Sequence, residues 1–194
     1  QHFHWHGLDP SARGTSVAMG NFDGIHRGHR SVIDLARGHG PLGIVTFEPH
    51  PRQFFAPHLP PFRLMNAEAR ANRLARLGVK HLFQLPFDAT LASLAPEAFV
   101  SEVLHDGLGI THVVVGADFC FGKGRKGTAA DLARFCDGRG IGISIAPLVT
   151  EAGAGISSTQ IRTALGEGRP RDAAAMLGHW HRIEGAVLHG EKRG

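Results

Sequence analysis

Ser16-Val17-Ala18-Met19-Gly20-Asn21-Phe22-Asp23-Gly24-Ile25-His26-Arg27-Gly28-His29 is the stretch that decides the fold. Residues 16–19 read as a short buried strand, and an amphipathic pattern over 28–37 reads as a helix. Between them, Gly20 and Gly24 let the backbone turn tightly and come close to a bound group. A helix that opens on such a turn offers unpaired amides and the positive end of its dipole, which suits an anion. His26 and His29 are three residues apart, so within a first helical turn they point the same way. Two imidazoles there can donate hydrogen bonds to phosphoryl oxygens. A purely structural turn with two surface histidines is the alternative. The full order of strand, G-x-F-D-G-x-H-x-G-H and helix is too specific for it. The turn is not a Walker A loop, because no G-K-[ST] follows, and it is not G-x-G-x-x-G.

Outward from this unit the pattern repeats. Further strands are expected over 43–47, 81–85, 111–115 and 141–146. Helices are expected over 67–77, capped by Asn66 and closed at Gly78, over 96–105 with Pro96 at the first position, and over 128–136. Thr128 with Asp131 three residues on is a variant capping box. Strand and helix alternate about five times, the signature of an α/β parallel sheet with helices on both faces. Ligands of such sheets bind at the carboxyl ends of the strands. After Ala146 come a Gly/Ala loop over 151–155, a helix from Ser157 or Ser158 to about Gly166, and a helix over 170–177. A new extended segment starts at Ile183 and breaks off mid-pattern. That suggests one domain over 1–178, then a linker and the start of a second over 179–194. The chain opens on Gln1 rather than Met, so a few residues upstream are expected.

Composition narrows the class. Hydrophobic residues make up 42%, enough for a sizeable core. No apolar run approaches the roughly 20 residues that span a bilayer. No signal peptide is visible. Cys120 and Cys136 have no metal-type spacing and read as reduced thiols of a cytoplasmic protein. The formal charge of +4 suits a polyanionic ligand or nucleic acid, but the Lys and Arg residues form no dense basic stripe interleaved with aromatics. Neither nucleic acid nor membrane is an expected partner. His2, His4 and His6 alternate near the start and read as a poorly ordered leader rather than a metal site.

A second motif, Ile156-Ser157-Ser158-Thr159-Gln160-Ile161-Arg162, gathers three hydroxyls at a helix start with Arg162 one turn in. Alone it reads as an ordinary helix cap. With the first motif it reads as a second phosphate contact, Arg162 being able to grip phosphoryl oxygens bidentately.

Together the two motifs resemble the FMN adenylyltransferase module of bifunctional bacterial riboflavin kinase/FAD synthetases. The shorter H-x-G-H element belongs to the wider nucleotidyltransferase superfamily. Thr46-Phe47-Glu48-Pro49-His50-Pro51 and Gly116-Ala117-Asp118-Phe119-Cys120-Phe121-Gly122 narrow the resemblance to the flavin family. It covers about residues 8–177. The segment 185–194 resembles the opening strand and phosphate loop of the family's β-barrel riboflavin kinase domain, whose later Pro-Thr-Ala-Asn element is absent. Where Cys120 stands, the family often has Arg, which puts one phosphate contact in doubt.

The resemblance implies a Rossmann-like nucleotidyltransferase fold and transfer of AMP from ATP to FMN, giving FAD and pyrophosphate. It implies His26, His29, Ser158 and Arg162 as catalytic residues. It implies Gly20, Phe22, Asp23, Gly24, Ser157 and Thr159, with those four, around ATP. His50, Pro51, Asp118 and Phe119 would border FMN. Mg²⁺ would bridge phosphate oxygens, held mainly by nucleotide and water. Asp23 reads equally as a metal partner or as the residue that holds the turn. Phe54, Phe55 and Phe62 read equally as flavin surface or core. Adenylyl or cytidylyl transfer to another phosphorylated acceptor, and a basic nucleic-acid-binding module, are the competing expectations.

Overall fold

The central strands form because most of their residues are apolar on both sides. In the computed structural model, which describes residues 1–151, 154–185, 187 and 190, β1 (Ser16–Met19) is buried along its whole length. The chain continues through α1 (Arg27–Ala36), β2 (Leu42–Glu48), α2 (Pro51–Phe55), α3 (Ala67–Arg76) and β3 (His81–Pro86). Next come α4 (Ala89–Ser93) and α5 (Pro96–Ala98), which runs directly into a π-helical stretch, Phe99–Leu108. Then follow β4 (His112–Gly116), β5 (Cys120–Phe121), β6 (Gly127–Thr128), α6 (Ala129–Asp137) and β7 (Gly142–Ala146). A short pair, β8 (Thr150–Glu151) and β9 (Ala154–Gly155), precedes α7 (Ser158–Gly166) and α8 (Pro170–Leu177).

Five strands pair in parallel in the order β3-β2-β1-β4-β7. Alternation along the strands sorts side chains to two faces. Val17, Val45, Phe83 and Val113 meet Val100, Val103 and Leu104 of the π-helical stretch and Leu132 of α6. Ala18, Ile44, Leu82 and Val114 meet Val32 and Ile33 of α1 and Leu74 of α3. A third cluster, Leu64, Ile161, Ala164, Ala173 and Leu177, packs α7 against α8. Each buried Val, Leu, Ile or Phe among these contributes roughly 1.5–3 kcal/mol. The chain leaves β1 toward β2 on one side and returns as β4 on the other. A crevice therefore opens between the carboxyl ends of β1 and β4.

The expected strands are all present, each within a residue of its reading at either end. Asn66 caps α3 by accepting from the Ala69 amide at 2.7 Å, and Thr128 with Asp131 forms the capping box of α6. Three expectations are corrected. The helix beginning at Pro96 extends to Leu108 because Leu104 and Leu108 are both fully buried and draw another turn onto the sheet. The 151–155 loop is the β8–β9 pair. The leader is docked: the His2 amide donates to the Leu82 carbonyl at 2.8 Å, its carbonyl accepts from Gln84, and Trp5 is buried. Backbone hydrogen bonds to the edge of β3 outweigh the polar composition of the leader. The expected kinase-like segment 185–194 lies largely outside the described residues. Among the described residues, no helix is long and apolar enough to cross a membrane. Cys120 and Cys136 are free thiols, and burial pushes Cys136 up to about 11.

Gly43 is a tight point in the middle of the sheet. A Cβ there would lie 2.5 Å from Cγ2 of Thr15 and 3.1 Å from Cγ1 of Val17. Gly43→Ala should therefore cost about 1–3 kcal/mol by overpacking. The check is the urea midpoint, expected to fall with the slope of the transition unchanged.

Candidate functional site

The turn after β1 is unusual in its backbone. Phe22 and Ile25 hold positive φ of 51° and 45°, a region that bulky residues rarely enter. Their side chains are buried to 1% and 0% exposure, and that packing holds them there. Gly24 has φ 91°, and a Cβ on it would meet Cδ1 of Leu64 at 2.8 Å. Glycine is required here both by conformation and by the close approach of that side chain.

Asp23, 2% exposed, fixes the turn. Its Oδ1 accepts from the amides of Leu64 at 2.8 Å and Met65 at 3.3 Å, and its Oδ2 accepts from Nη2 of Arg162 at 2.6 Å. Arg162 also donates from Nε to the Phe62 carbonyl at 2.7 Å, and its guanidinium lies 5.2 Å from the Phe62 ring centroid. Ser158 Oγ donates to the Asp23 carbonyl at 2.8 Å. Ser157 caps α7 in a capping box with Gln160. One carboxylate thus joins the first motif, the second motif and the segment between them. These contacts are those of a residue that holds the turn.

A second buried network was not legible beforehand. Glu48 pairs with Arg63 and with Arg70, the latter at 2.9 Å. Arg70, 1% exposed, also donates to the Asn21 carbonyl at 3.3 Å and to Gln84 at 3.2 Å. Burial would raise the Glu48 carboxyl, but the two guanidiniums win and hold it below its usual range. Glu48 sits in the quoted Thr46–Pro51 element, yet Arg63 and Arg70 are 15 and 22 residues further on. No local period connects groups that far apart.

The histidines do something the sequence reading did not anticipate. His26 is not inside the helix but caps it, with Nδ1 accepting from the His29 amide at 3.2 Å. An accepting Nδ1 fixes the proton on Nε2, so the ring presents a donor. His29 stacks on His26 with ring centroids 3.6 Å apart. His50 repeats the arrangement as the cap of α2, with Nδ1 accepting from the Arg52 amide at 3.0 Å. Burial pushes both His26 and His50 down to about 4. Burial, then the neighbouring His26, holds His29 well below its ordinary value. At neutral pH all three rings are uncharged.

These elements surround a cleft of about 700 Å³ at the carboxyl ends of the strands. Gly20, Phe22, Asp23, His26, His29, His50, Pro51, Asp118, Phe119, Ser157, Ser158, Thr159 and Arg162 all line it. Gly24 does not: it faces a separate small hollow beside Leu177 and His179. One end of the cleft is apolar, with Phe47, Phe55, Phe87, Leu91 and Phe99. Phe55 is 67% exposed and lines the cleft, whereas Phe54 and Phe62 do not. Cys120 lines it as well. Among the described residues no group of three or more His, Cys, Asp or Glu is arranged to hold a metal ion, and the oxygens of Asp23 are already occupied by donors. The residues present do not fit a cation held by protein ligands alone.

Comparison with known proteins places this geometry. Residues 8–160 match the family model for FAD synthetase. A bifunctional riboflavin kinase/FMN adenylyltransferase of Pseudomonas fluorescens is 40% identical over 96% of this chain and 61% of that protein. An FAD synthetase of Listeria monocytogenes is 32% identical over 94% of this chain and 76% of that one. The crystal structure of a Streptococcus pneumoniae protein named as a macrolide-efflux protein superposes with TM-score 0.80 at 32% identity, over 91% of this chain and 60% of the other. The chain thus spans about three fifths of the length of its bifunctional relatives.

Two outcomes follow from the site. Asp23→Asn removes one half of a buried ion pair and should cost about 3 kcal/mol in urea unfolding. The second concerns pH. His26 and His50 titrate near 4 when folded and near 6.5 when unfolded, so between those values the unfolded chain binds more protons. Their contribution is complete above 6.5 and is lost progressively as pH falls toward 4, by about 3 kcal/mol for each. Urea midpoints measured from pH 7 to pH 4.5 should fall, and the fall should be shallower in His26→Gln.

Proposed function

The chain belongs to the FAD synthetase family, and from that premise we propose that it transfers AMP from ATP to FMN, yielding FAD and pyrophosphate. The observation that supports this most is the meeting of both motifs around one cleft with a polar end and an aromatic end. An FMN phosphate oxygen attacks the α-phosphorus of ATP. The new P–O bond forms as the bond to the bridging oxygen of pyrophosphate breaks in line. Such transfers need positioning and charge stabilisation more than covalent participation by the protein.

The residues divide the work by what they have free. His26, with its proton on Nε2, and the stacked His29 donate to phosphoryl oxygens as charge gathers in the transition state. Because both rings are neutral before the nucleotide arrives, they add donors without repelling Arg162. Thr159 and the amides at the start of α7 face the β- and γ-phosphates. Ser158 and Arg162 stand alongside and hold that helix against the first turn. Gly20 and Phe22 shape the nucleotide cradle. His50, Pro51, Asp118 and Phe119 border FMN, with the aromatic end of the cleft taking the ring system. Magnesium enters as part of the MgATP substrate. We place the reaction in the cytoplasm. The longer protein would also phosphorylate riboflavin, through sequence beyond this chain.

The test is formation of FAD and release of pyrophosphate from FMN and MgATP by this chain alone. His29→Ala should lower turnover by roughly 10²-fold or more, about 3 kcal/mol. Unchanged turnover would remove His29 from this role, and no FAD from the unaltered chain would overturn the reading itself.

A further inference from the structure

Beside Gly24, lined by residues that do not line the large cleft, lies a hollow of about 30 Å³. Gly24 and Leu177 line it, and Arg73 and Arg76 of α3 face Arg182 from the segment after α8 across it. Arg30 of α1 adds a fourth positive charge within electrostatic reach of Arg73. Arg30, Arg76 and Arg182 are exposed and Arg73 is half-buried, whereas the more buried Arg63 and Arg70 share Glu48 and Arg162 has Asp23. Among the described residues, none of Arg30, Arg73, Arg76 and Arg182 is in an ion pair. Nε of Arg73 is buried with no hydrogen-bond partner. A buried donor left unmade is costly, so it calls for an acceptor. Burial, then the like charges of Arg30, Arg182 and Arg76, holds the Arg73 guanidinium below its ordinary range. Among the described residues, Glu184 is the one carboxylate lining the hollow.

We propose that this hollow binds a small phosphoryl oxyanion at a site distinct from the large cleft. Guanidinium forks match a tetrahedral oxyanion bidentately, and a dianion offsets more of the gathered charge than a single carboxylate can. The hollow has room for one phosphoryl group. The ligand would bridge α3 to the segment after α8. That segment already reaches the turn through His179 Nε2, 3.3 Å from the Gly24 carbonyl, and reaches the neighbouring strand of chain through His181 Nε2, 3.1 Å from the Leu64 carbonyl.

Calorimetric titration of the intact chain with inorganic phosphate, at ionic strength held constant with chloride, tests the site. One saturable equivalent is expected whose affinity falls at least tenfold in Arg73→Gln and in Arg182→Gln but is retained in His29→Ala. Arg182 is exposed, so its variant keeps the test meaningful if Arg73→Gln misfolds. Pyrophosphate and adenosine monophosphate titrated in the same way distinguish a free anion from the phosphoryl end of a larger molecule. Absence of saturable binding by all three, or binding lost in His29→Ala and kept in both arginine variants, overturns the proposal.

Discussion

The carboxylate of Asp23 is the constraint from which the cleft is built. Apolar packing of Leu64, Ile161 and Leu177 brings three distant pieces of chain together, and a buried polar group fixes how they meet. Asp23 gives Oδ1 to the amides of Leu64 and Met65 and Oδ2 to Arg162, while its own carbonyl takes Ser158. A buried carboxylate is tolerable only when its lone pairs are used, and these are. The same arrangement explains why Phe22 and Ile25 hold positive φ: the turn is pinned on both sides and its apolar side chains are sealed beneath it. Such strain persists only where the surroundings over-determine it.

Electrostatics then set what the cleft can receive. His26, His29 and His50 are kept neutral by burial, so the free site carries less positive charge than its residue types suggest. A polyphosphate entering it would find oriented donors rather than a field of fixed cations. Donors already aimed need little reorganisation when charge develops on phosphorus. Glu48 pairs with both Arg63 and Arg70 and offsets part of their charge, which still reaches His50.

Much of this was legible in the sequence, for identifiable reasons. The strands were readable because both faces are apolar, and the caps at Asn66 and Thr128 because their partners lie three residues away. The meeting of His26, Ser158 and Arg162 at one cleft was expected from pairing the two motifs and from the family resemblance they carry. What escaped was non-local or depended on single hydrogen bonds. The Glu48–Arg70 pair spans 22 positions and has no periodic trace. His26 as a cap rather than a helical residue turns on one acceptor, Nδ1, that spacing alone does not reveal. Gly24 read as part of a phosphate cradle because glycine suggests backbone access, yet its open side is filled by Leu64 and Leu177. The leader looked disordered by composition, and only the unpaired edge of β3 made it a strand partner.

Arg162 shows how a reading from residue type can be right about place and incomplete about role. Its guanidinium lines the cleft, yet two of its donors are committed to Asp23 and to the Phe62 carbonyl. A bidentate grip on phosphate through those same donors would require releasing the latch that holds α7 in position. The two demands are reconciled if the guanidinium acts on phosphates mainly through its charge while its geometry remains structural. Charge acts over several ångströms in a partly dry cleft, whereas hydrogen bonds need contact. Under the proposed reaction, Thr159 and the first amides of α7 would contact the phosphates, while Arg162 keeps its latch and offers its charge and its remaining Nη donors.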